Sequence, residues 1–302
     1  MPSVATVGIF DGVHVGHRFL IDQVMTSAKA QNLQSMVITF AKHPRSILSS
    51  DFHPELLNTL DEKIAQLTTT GIDTCIVLEF TEEMAALSAH DFLKSILKDQ
   101  FKVNTLIVGH DHRFGHDRLE GFAEYKQYGE SMGMEVIQAK RYATAEFEHI
   151  CSSEIRLEIQ RGNFRSASSL LGYNYTVTGK VANGFKVGRK IGFPTANLIP
   201  NDTEKLVPPL GVYAVRVHWN NAAYNGMMNI GTRPTLSNDL KISLEVNIFN
   251  FDQDIYNQEI EVEFIQKIRD ERKFNGLDEL IEQLNKDKQA VTEILPPPLN
   301  SL

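Results

Sequence analysis

The segment Gly8-Ile9-Phe10-Asp11-Gly12-Val13-His14-Val15-Gly16-His17 ends the first strand-like run of the chain and leads directly into a helical pattern. In an open parallel sheet, ligands bind where a strand ends and the next helix begins. Gly12 and Gly16 let the backbone approach a phosphate closely, while the helix N-terminus presents free N–H groups and a positive dipole. His14 and His17 can donate to phosphate oxygens. An ordinary turn would tolerate the same residues, but their coincidence with a strand-turn-helix context predicts a site for a leaving pyrophosphate.

The rest of the first half alternates strand-like apolar runs with helical patterns, which is typical of a parallel sheet with helical crossovers. Helical spacing covers residues 19–28 and 92–97, and Ser88 and Asp91 stand in capping-box register before the second of these helices. We therefore predict a doubly wound α/β domain. Its predicted strands cover residues 4–10, 35–40, 74–80, 105–109 and 134–138.

The second half has a different pattern. Two short helical stretches end at Gly162 and Gly172, and an alternation of period two then takes over. Residues 242–248 and 259–264 each alternate apolar with polar side chains, as half-buried strands do. Because no helical crossover separates these strands, we expect an antiparallel β-barrel, followed by an amphipathic C-terminal helix around residues 277–284.

Length and composition limit the possible classes of protein. A chain of 302 residues is long for one hydrophobic core, and we place two domains at residues 1–172 and 173–302. The net charge of -8 argues against a nucleic-acid surface, and no window approaches the roughly 18 consecutive apolar residues of a membrane span. The N-terminus lacks a signal-peptide pattern, and Cys75 and Cys151 have no metal-ligand spacing. We expect a cytoplasmic protein with reduced thiols that acts on small molecules.

The segment from Gly8 to His17 resembles the His-x-Gly-His signature of nucleotidylyltransferases, in the longer form found in prokaryotic bifunctional riboflavin kinase/FAD synthetases. Two further segments resemble the same family. Gly109-His110-Asp111-His112-Arg113-Phe114-Gly115 is similar to its Gly-x-Asp-Phe-x-Phe-Gly loop, and Cys151-Ser152-Ser153-Glu154-Ile155-Arg156 is similar to its Ser-Ser-Thr-x-Ile-Arg. His112 replaces the usual Phe, and Cys151 and Ser153 replace Ser and Thr. The resemblance implies that the first domain has a nucleotidylyltransferase-like fold.

The segment around Ser152 has two interpretations. Ser152 or Ser153 could simply cap the helix that follows, while Arg156, one turn later, can present a planar fork to phosphate oxygens. The assignment of Arg156 to the site rests mainly on the resemblance.

The glycine-rich segment of residues 179–197 is neither a Walker loop nor a protein-kinase loop. Its glycines, among them Gly184 and Gly188, could wrap a triphosphate with backbone N–H groups, together with Arg189. Its end, Gly192-Phe193-Pro194-Thr195-Ala196-Asn197, is similar to the nucleotide and magnesium site of riboflavin kinases. The resemblance implies that Thr195 and Asn197 supply oxygens to Mg²⁺, which accepts a few protein oxygens together with substrate phosphates.

Glu245 lies on the polar face of the predicted strand 242–248, with Leu244 and Val246 facing inward. Taken alone it would be a solvated strand residue, but the family match implies a base that accepts the proton of the ribityl hydroxyl. Asn247 stands where a His is common. Residues 229–235 and 268–274 extend the resemblance over nearly the whole chain, and Arg272 and Phe274 look like flavin contacts.

The resemblance implies two reactions. ATP phosphorylates riboflavin to FMN in the second domain, and the first domain then transfers AMP from another ATP to FMN, giving FAD and pyrophosphate. We assign catalytic roles to Glu245 as the base of phosphoryl transfer, and to His14, His17 and Arg156, whose action on the triphosphate in adenylyl transfer is electrostatic and requires no nucleophilic side chain. The predicted binding residues are Gly8, Phe10, Asp11, Gly12, Gly16, Asp111, Arg113, Phe114, Ser152, Ser153, Gly184, Gly188, Arg189, Thr195, Asn197, Arg272 and Phe274.

Three alternatives remain at the level of the sequence. The first is a kinase whose N-terminal domain only binds nucleotide or flavin, against which the intact His14 and His17 argue. The second is a non-catalytic flavin-binding regulator, which would need neither Glu245 nor the pair Thr195 and Asn197. The third is a cytidylyltransferase acting on another phosphate, which would leave the second domain unexplained.

Overall fold

The structure of the protein is a computed structural model that describes residues 1–48, 51, 55–110, 112–116, 119–142, 150–184, 187–234 and 240–296. The chain divides into two compact units, Met1–Ser152 and Ser153–Leu302. Asp111, one of the predicted binding residues, lies outside the described residues. Both cysteines are free thiols. Within the described ranges, no helix combines the length and the apolar character that crossing a membrane requires.

The first unit is built on a five-stranded parallel sheet. Its strands are β1 (Ser3–Val7), β2 (Gln34–Phe40), β3 (Thr74–Leu78), β4 (Val103–Val108) and β5 (Glu135–Gln138). They lie in the order β3-β2-β1-β4-β5, so the direction of winding reverses beside β1. In such sheets the ligand crevice lies at the carboxyl end of the strands at this reversal. The prediction of a doubly wound α/β domain is confirmed.

Helices connect these strands. They are α1 (Val15–Gln31), α2 (Pro44–Leu48), α3 (Leu60–Thr68), α4 (Glu82–Ala85), α5 (Ala89–Asp91), the π-helix Phe92–Gln100 and α6 (Phe122–Ser131). Ser88 caps α5 by accepting a hydrogen bond from the N–H of Asp91, as expected. The helix predicted over residues 92–97 is present, and its hydrogen bonds follow the wider π pattern.

The inner strands β1, β2 and β4 are largely buried, which explains why most of their residues are apolar. On one face, Ala5 and Val7 of β1 pack in a cluster with Leu93 of the π-helix. On the other, Val4 packs in a cluster with Val24 of α1. The loop after β1 therefore emerges from a strand that is packed on both faces.

The second unit contains a closed barrel in which every strand pair is antiparallel. Its strands are β6 (Thr176–Ala182), β7 (Ala196–Pro200), β8 (Gly211–Trp219), β9 (Ala222–Pro234), β10 (Leu240–Ile248) and β11 (Glu259–Arg269). Around the barrel they follow the order β10-β7-β6-β11-β8-β9. Ile260, Val262 and Phe264 are fully buried, as their alternation predicts. The antiparallel barrel expected from the sequence is confirmed.

The helices of the second half are α7 (Ser152–Gln160), α8 (Phe164–Leu171), α9 (Val187–Lys190) and α10 (Leu277–Ile294). Phe164 of α8 stacks on Phe264 of the barrel at 5.3 Å between ring centroids. The predicted C-terminal helix is α10, which clusters through Val291 with Val212 and Ala214 of β8. The guanidinium of Arg269 at the end of β11 also pairs with the buried Asp287 of α10 at 2.8 Å.

Candidate active sites

The first site is built on residues 8–17, which we call the phosphate turn. β1 ends at Val7, three residues before the predicted end, because the backbone leaves the extended conformation. Phe10 has φ 52°, Gly12 has φ 83° and Val13 has φ 34°. A left-handed conformation is uncommon for non-glycine residues, and rarer still for a β-branched one. The side chains of Phe10 and Val13 are buried in the core, which holds the backbone in this conformation.

His14 is the N-cap of α1 and faces His17 one turn later. Nδ1 of His14 accepts a hydrogen bond from the backbone N–H of His17 at 3.3 Å, and the two rings stack with centroids 3.6 Å apart. A neutral His14 that accepts at Nδ1 carries its proton on Nε2, which leaves that nitrogen as a donor. The cap therefore orients one imidazole N–H at the helix N-terminus.

Burial, and then the neighbouring His14, hold the pKa of His17 well below its ordinary value. His17 is therefore neutral at pH 7 and carries one ring proton. Its buried Nδ1 has no hydrogen-bond partner within the described part of the chain. Buried polar atoms are nearly always paired, so an orphan nitrogen at a helix N-terminus indicates a place where a ligand atom binds.

The glycines of the phosphate turn have little space around them. A Cβ on Gly16 would lie 3.2 Å from the His14 ring, and one on Gly8 would lie 3.0 Å from the Phe10 ring. The two glycines allow these rings to lie against the backbone.

Asp11 points away from the helix N-terminus. Its carboxylate is buried and accepts hydrogen bonds from the N–H groups of Leu57 at 2.9 Å and Asn58 at 3.1 Å. Its backbone carbonyl accepts a hydrogen bond from the hydroxyl of Ser152 at 2.9 Å. Since α7 begins at Ser152, this hydroxyl ties the start of the helix to the phosphate turn instead of capping it. Ser153 is exposed.

In the loop after β4, Phe114 is buried and Arg113 is exposed. The N–H of Phe114 donates to the hydroxyl of Tyr125 at 2.9 Å, and the Phe114 ring is buried against Phe92 and Tyr125. Arg113 is exposed, and its guanidinium donates to the carbonyl of His112 at 2.9 Å. Phe114 is thus a core residue that shapes this loop.

Arg156 lies in α7, four residues after Ser152, and is half-buried. It belongs to the second compact unit, whereas the phosphate turn belongs to the first.

The second site lies at a cavity of about 460 Å³ in the second unit. The predicted residues Arg189 and Thr195 line it, together with Val246 of β10. The cavity is also lined by the segment 251–256, between β10 and β11, which sequence reasoning missed. An aromatic pair, Phe251 and Tyr256, in a loop rich in Asp was the available signal, but such a loop has no periodicity that reveals what it faces.

Barrel closure brings three of the predicted kinase residues together. The hydroxyl of Thr195 donates to the carboxylate of Glu245 at 3.3 Å, and Asn197 is paired with Glu245 across β7 and β10. Asn197 also pairs with Ala182 of β6. Three strands therefore fix the mutual position of one carboxylate, one hydroxyl and one amide.

The segment before Thr195 is held by close backbone contacts. A Cβ on Gly184 would overlap the amide group of Asn197, and one on Gly188 would overlap the carbonyl of Phe193. The carbonyl of the next residue, Pro194, accepts a hydrogen bond from the buried side-chain amide of Asn247 at 2.6 Å. Only glycine allows the close approaches at positions 184 and 188, because any side chain would push this segment away from its neighbours.

Arg272 and Phe274 lie between β11 and α10. The Arg272 guanidinium lies over the Phe274 ring, 4.6 Å from its centroid, and also contacts Glu279 at 3.3 Å. A Cβ on Gly231 would overlap the carboxylate of Glu271, so the segment between β11 and α10 lies against β9 at Gly231. Arg272 and Phe274 are not among the residues that line the cavity.

The oxygens of Thr195 and Asn197 suit a cation that also binds phosphate. Among the described residues, no group of three His, Cys, Asp or Glu side chains could hold a metal ion alone. Mg²⁺ is commonly bound by one or two protein groups, substrate phosphates and water, so neutral oxygens beside the Glu245 carboxylate fit it.

Comparisons with known proteins agree with this division of the chain. A family model described as FAD synthetase matches residues 1–154, and one described as riboflavin kinase matches residues 171–295. The chain is 38% identical to a bifunctional riboflavin kinase/FMN adenylyltransferase of Bacillus subtilis, covering 95% of this chain and 90% of the relative. It is 35% identical to the enzyme of that name from Escherichia coli K12, covering 96% and 92%.

A solved structure shares the fold over nearly the whole length. It is the crystal structure of a protein from Streptococcus pneumoniae described as a macrolide-efflux protein, with a TM-score of 0.87 and 32% identity. The match covers 96% of this chain and 93% of that one.

Proposed function

The chain belongs to the family of bifunctional riboflavin kinases/FMN adenylyltransferases, which convert riboflavin to FMN and FMN to FAD, and we propose how its residues divide these reactions. The phosphate turn carries out adenylyl transfer, and the group of Thr195, Asn197 and Glu245 carries out phosphoryl transfer. Of these three residues, Thr195 also lines the cavity. ATP, riboflavin, FMN and FAD are the substrates and products. The observation that supports this division is that the His14 cap lies in the first compact unit, whereas the contact of Thr195 with Glu245 lies in the second.

In adenylyl transfer, the phosphate of FMN attacks the α-phosphorus of ATP and pyrophosphate leaves. The α1 N-terminus and the ring N–H groups of His14 and His17 stabilise the charge that develops on the pyrophosphate. Because the pKa of His17 is lowered, this residue acts as a neutral donor at pH 7. Arg156 keeps its assignment to adenylyl transfer from the resemblance, since its guanidinium fork suits phosphate oxygens.

In phosphoryl transfer, the 5′-hydroxyl of riboflavin attacks the γ-phosphorus of ATP, and Glu245 accepts the hydroxyl proton. The Thr195 hydroxyl donates to Glu245, which orients the carboxylate and leaves the Thr195 lone pairs available. Thr195 and Asn197 would hold Mg²⁺, which neutralises phosphate charge when bound. Gly184, Gly188 and Arg189 surround the phosphates.

The flavin is bound by separate residues at each site. Arg113 and Phe114 belong to the loop after β4 that holds FMN for adenylyl transfer, and Asp111 keeps its assignment to this site from the sequence alone. Arg272 and Phe274 bind the isoalloxazine of riboflavin in the kinase domain, where the ring of Phe274 is already stacked under a guanidinium.

We assign adenylyl transfer to a domain of residues 1–172 and phosphoryl transfer to residues 173–302. The first barrel strand begins at Thr176, and Gly172 ends α8 with φ 82°, which favours a boundary at this point. The boundary between the two compact units falls earlier, after Ser152, because α8 packs on the barrel through Phe164. We place the enzyme in the cytoplasm, which agrees with its two free thiols.

The test is chromatography of the flavins formed from riboflavin or from FMN, with ATP and Mg²⁺, by the wild type and by two variants. His17→Ala should lower FAD formation roughly 100-fold and stop at FMN. Glu245→Ala should lower phosphorylation of riboflavin by about 100-fold or more, yet still make FAD from supplied FMN.

The matched controls are His90→Ala and Glu259→Ala, which change a half-exposed histidine of the first unit and an exposed glutamate of the second. They should alter neither reaction. Accumulation of FMN alone in the wild type would establish the kinase-only alternative. Absence of product from both flavins would contradict the proposal as a whole.

A further inference from the structure

Lys63, near the start of α3, is a buried cation that neither proposed reaction uses. We propose that Lys63 is a positioning residue for adenylyl transfer, which sets the conformation of the phosphate turn through its backbone. This inference rests on the proposed function of that turn.

The ammonium group of Lys63 joins the carboxyl ends of two neighbouring strands. It donates to the carbonyl of Phe40, the last residue of β2, at 2.7 Å. It also donates to the carbonyl of Ile9, just after β1, at 3.3 Å. The Ile9 carbonyl accepts a second hydrogen bond from the hydroxyl of Thr39 at 3.1 Å. Two donors therefore fix the peptide group that immediately precedes Phe10.

In a second contact between the turn and the segment of α3, the side chain comes from the turn. Asp11 of the turn accepts hydrogen bonds from the N–H groups of Leu57 and Asn58, directly before the cap of α3 at Thr59. Lys63 of α3 reaches back to Ile9, on the other side of Phe10. The left-handed Phe10 is thus clamped between two polar contacts from one helical segment.

This clamp acts on a strained piece of backbone. Phe10 and Val13 both have positive φ, a conformation that persists only where the surrounding structure enforces it. The N–H of Val13 closes the turn on the carbonyl of Phe10 at 3.1 Å, and His14, the cap of α1, follows at once. A change in the orientation of the Ile9 peptide would therefore move the imidazole pair.

Lys63 is an unfavourable residue for packing alone. Its side chain is 7% exposed, and burial lowers the pKa of Lys63, with the nearby Asp11 carboxylate opposing that effect. A buried ammonium costs stability unless it is paired and hydrogen-bonded. An apolar side chain of similar length would fill the same space. What lysine adds over such a side chain is the ability to donate hydrogen bonds to the carbonyls of Phe40 and Ile9.

Loss of the Lys63 contacts should affect the binding of ATP and pyrophosphate more than the binding of the flavins. The phosphate turn binds the pyrophosphate portion of ATP, whereas FMN and FAD are also held by the loop after β4. Loss of the clamp should weaken binding of ATP and, in the reverse reaction, of pyrophosphate, with little change for the flavins. A loss of folded protein would lower kcat and leave every KM unchanged.

The experiment measures FAD formation from FMN and ATP, and its reversal by pyrophosphate, in the full-length wild type and in Lys63→Met. We expect the KM values for ATP and pyrophosphate to rise about tenfold, while those for FMN and FAD change less than twofold. Riboflavin phosphorylation in the same molecules should be unchanged and reports that the chain is intact.

Lys98→Met is the matched control, because Lys98 also donates to a backbone carbonyl of this unit, that of Gly133 at 2.7 Å, but lies away from the turn. It should leave all four KM values unchanged. Lys63→Gln keeps a donor without the charge and should recover part of the lost affinity.

Thr39→Val removes only the second donor to Ile9 and is nearly isosteric, so it tests the clamp even where Lys63→Met does not fold. We expect a rise of about threefold in the KM for pyrophosphate. Unchanged KM values for ATP and pyrophosphate in these variants, or equal rises for flavins and phosphates, would overturn the inference. A wild type that makes no FAD from FMN would instead overturn the proposed function.

Discussion

The two phosphate-binding segments obtain their geometry in different ways. The phosphate turn is one continuous stretch, in which the cap at His14, the stacked His17 and the left-handed Phe10 lie within ten residues. The kinase site is assembled from separate strands, since Thr195 precedes β7 and Glu245 lies in β10. The first site depends on local backbone conformation, and the second depends on barrel closure.

The segments also differ in what holds them. Two buried polar side chains, Lys63 of α3 and Asp11 of the turn itself, tie the phosphate turn to α3 and to the residues before it. The segment before Thr195 is held mainly by close contacts of its backbone, which Gly184 and Gly188 allow because they have no side chains. We therefore expect the first site to be sensitive to loss of polar groups and the second to added bulk.

Gly188→Ala should have the largest effect. The new Cβ would overlap the carbonyl of Phe193, two residues before Thr195, so the turn must move away from Glu245. A displacement of about 1 Å in a phosphoryl-transfer site can lower the rate roughly 100-fold. Riboflavin phosphorylation, followed by chromatography, should fall by this factor while adenylylation of supplied FMN is unchanged.

Gly192→Ala is the comparison variant. Gly192 has φ 83° but open space around its Cβ position, so alanine costs about 1 kcal/mol of stability without displacing a neighbour. Equal losses of kinase activity in both variants would mean that backbone freedom, and not close contact, is what the glycines supply.

Asn247→Leu should have an intermediate effect. Leucine has a similar size but cannot donate to the Pro194 carbonyl, and an unsatisfied buried acceptor costs about 1–3 kcal/mol. Because this contact positions Thr195, we expect kcat/KM for riboflavin phosphorylation to fall about tenfold. Asn247→His retains a donor and should keep most of the activity. A fully active Asn247→Leu would show that strand pairing alone positions the turn.

The fold was largely predictable because apolar periodicity reports which residues are buried. The same signal explains the errors at strand ends. Phe10 was assigned to the first strand because it is apolar and is indeed buried, but it reaches the core from a left-handed conformation. Ile242 alternates correctly with its neighbours, yet it is 55% exposed because it lies towards the start of β10.

The sequence predicts the arrangement of site residues best where these residues are close together in the chain. His14 and His17 are brought together by one turn of helix, which spacing alone predicts. Asn247 was expected on the polar face, but it is buried because its amide reaches Pro194, a contact that requires the closed barrel. The segment 251–256 and Lys63 were missed for the same reason, since their partners are distant in sequence.

The smallest predicted effect concerns pH, to which the two units should respond in opposite directions. Burial and His14 lower the pKa of His17, so below about pH 6.5 the unfolded chain binds a proton that the native first unit excludes, and that unit loses stability. A hydrogen bond to Glu263 raises the pKa of His218, so the second unit gains stability as pH falls through that raised value. His218 is 41% exposed, which keeps its contribution small, at roughly 1–2 °C in the unfolding midpoint.

Trp219, the single tryptophan, lies at the end of β8 and reports thermal unfolding of the second unit by fluorescence. Hydrogen exchange of peptides from β1 and β4 reports the first unit. Between pH 7.5 and 5.5, exchange in β1 and β4 should accelerate after correction for its intrinsic pH dependence, while the Trp219 midpoint rises. His17→Gln should remove the first change and His218→Gln the second. The stability of both units could instead change in the same direction in the wild type, with neither variant altering the response of its own unit. The two imidazole environments would then not control the pH response, and the sites would differ only in their backbone geometry.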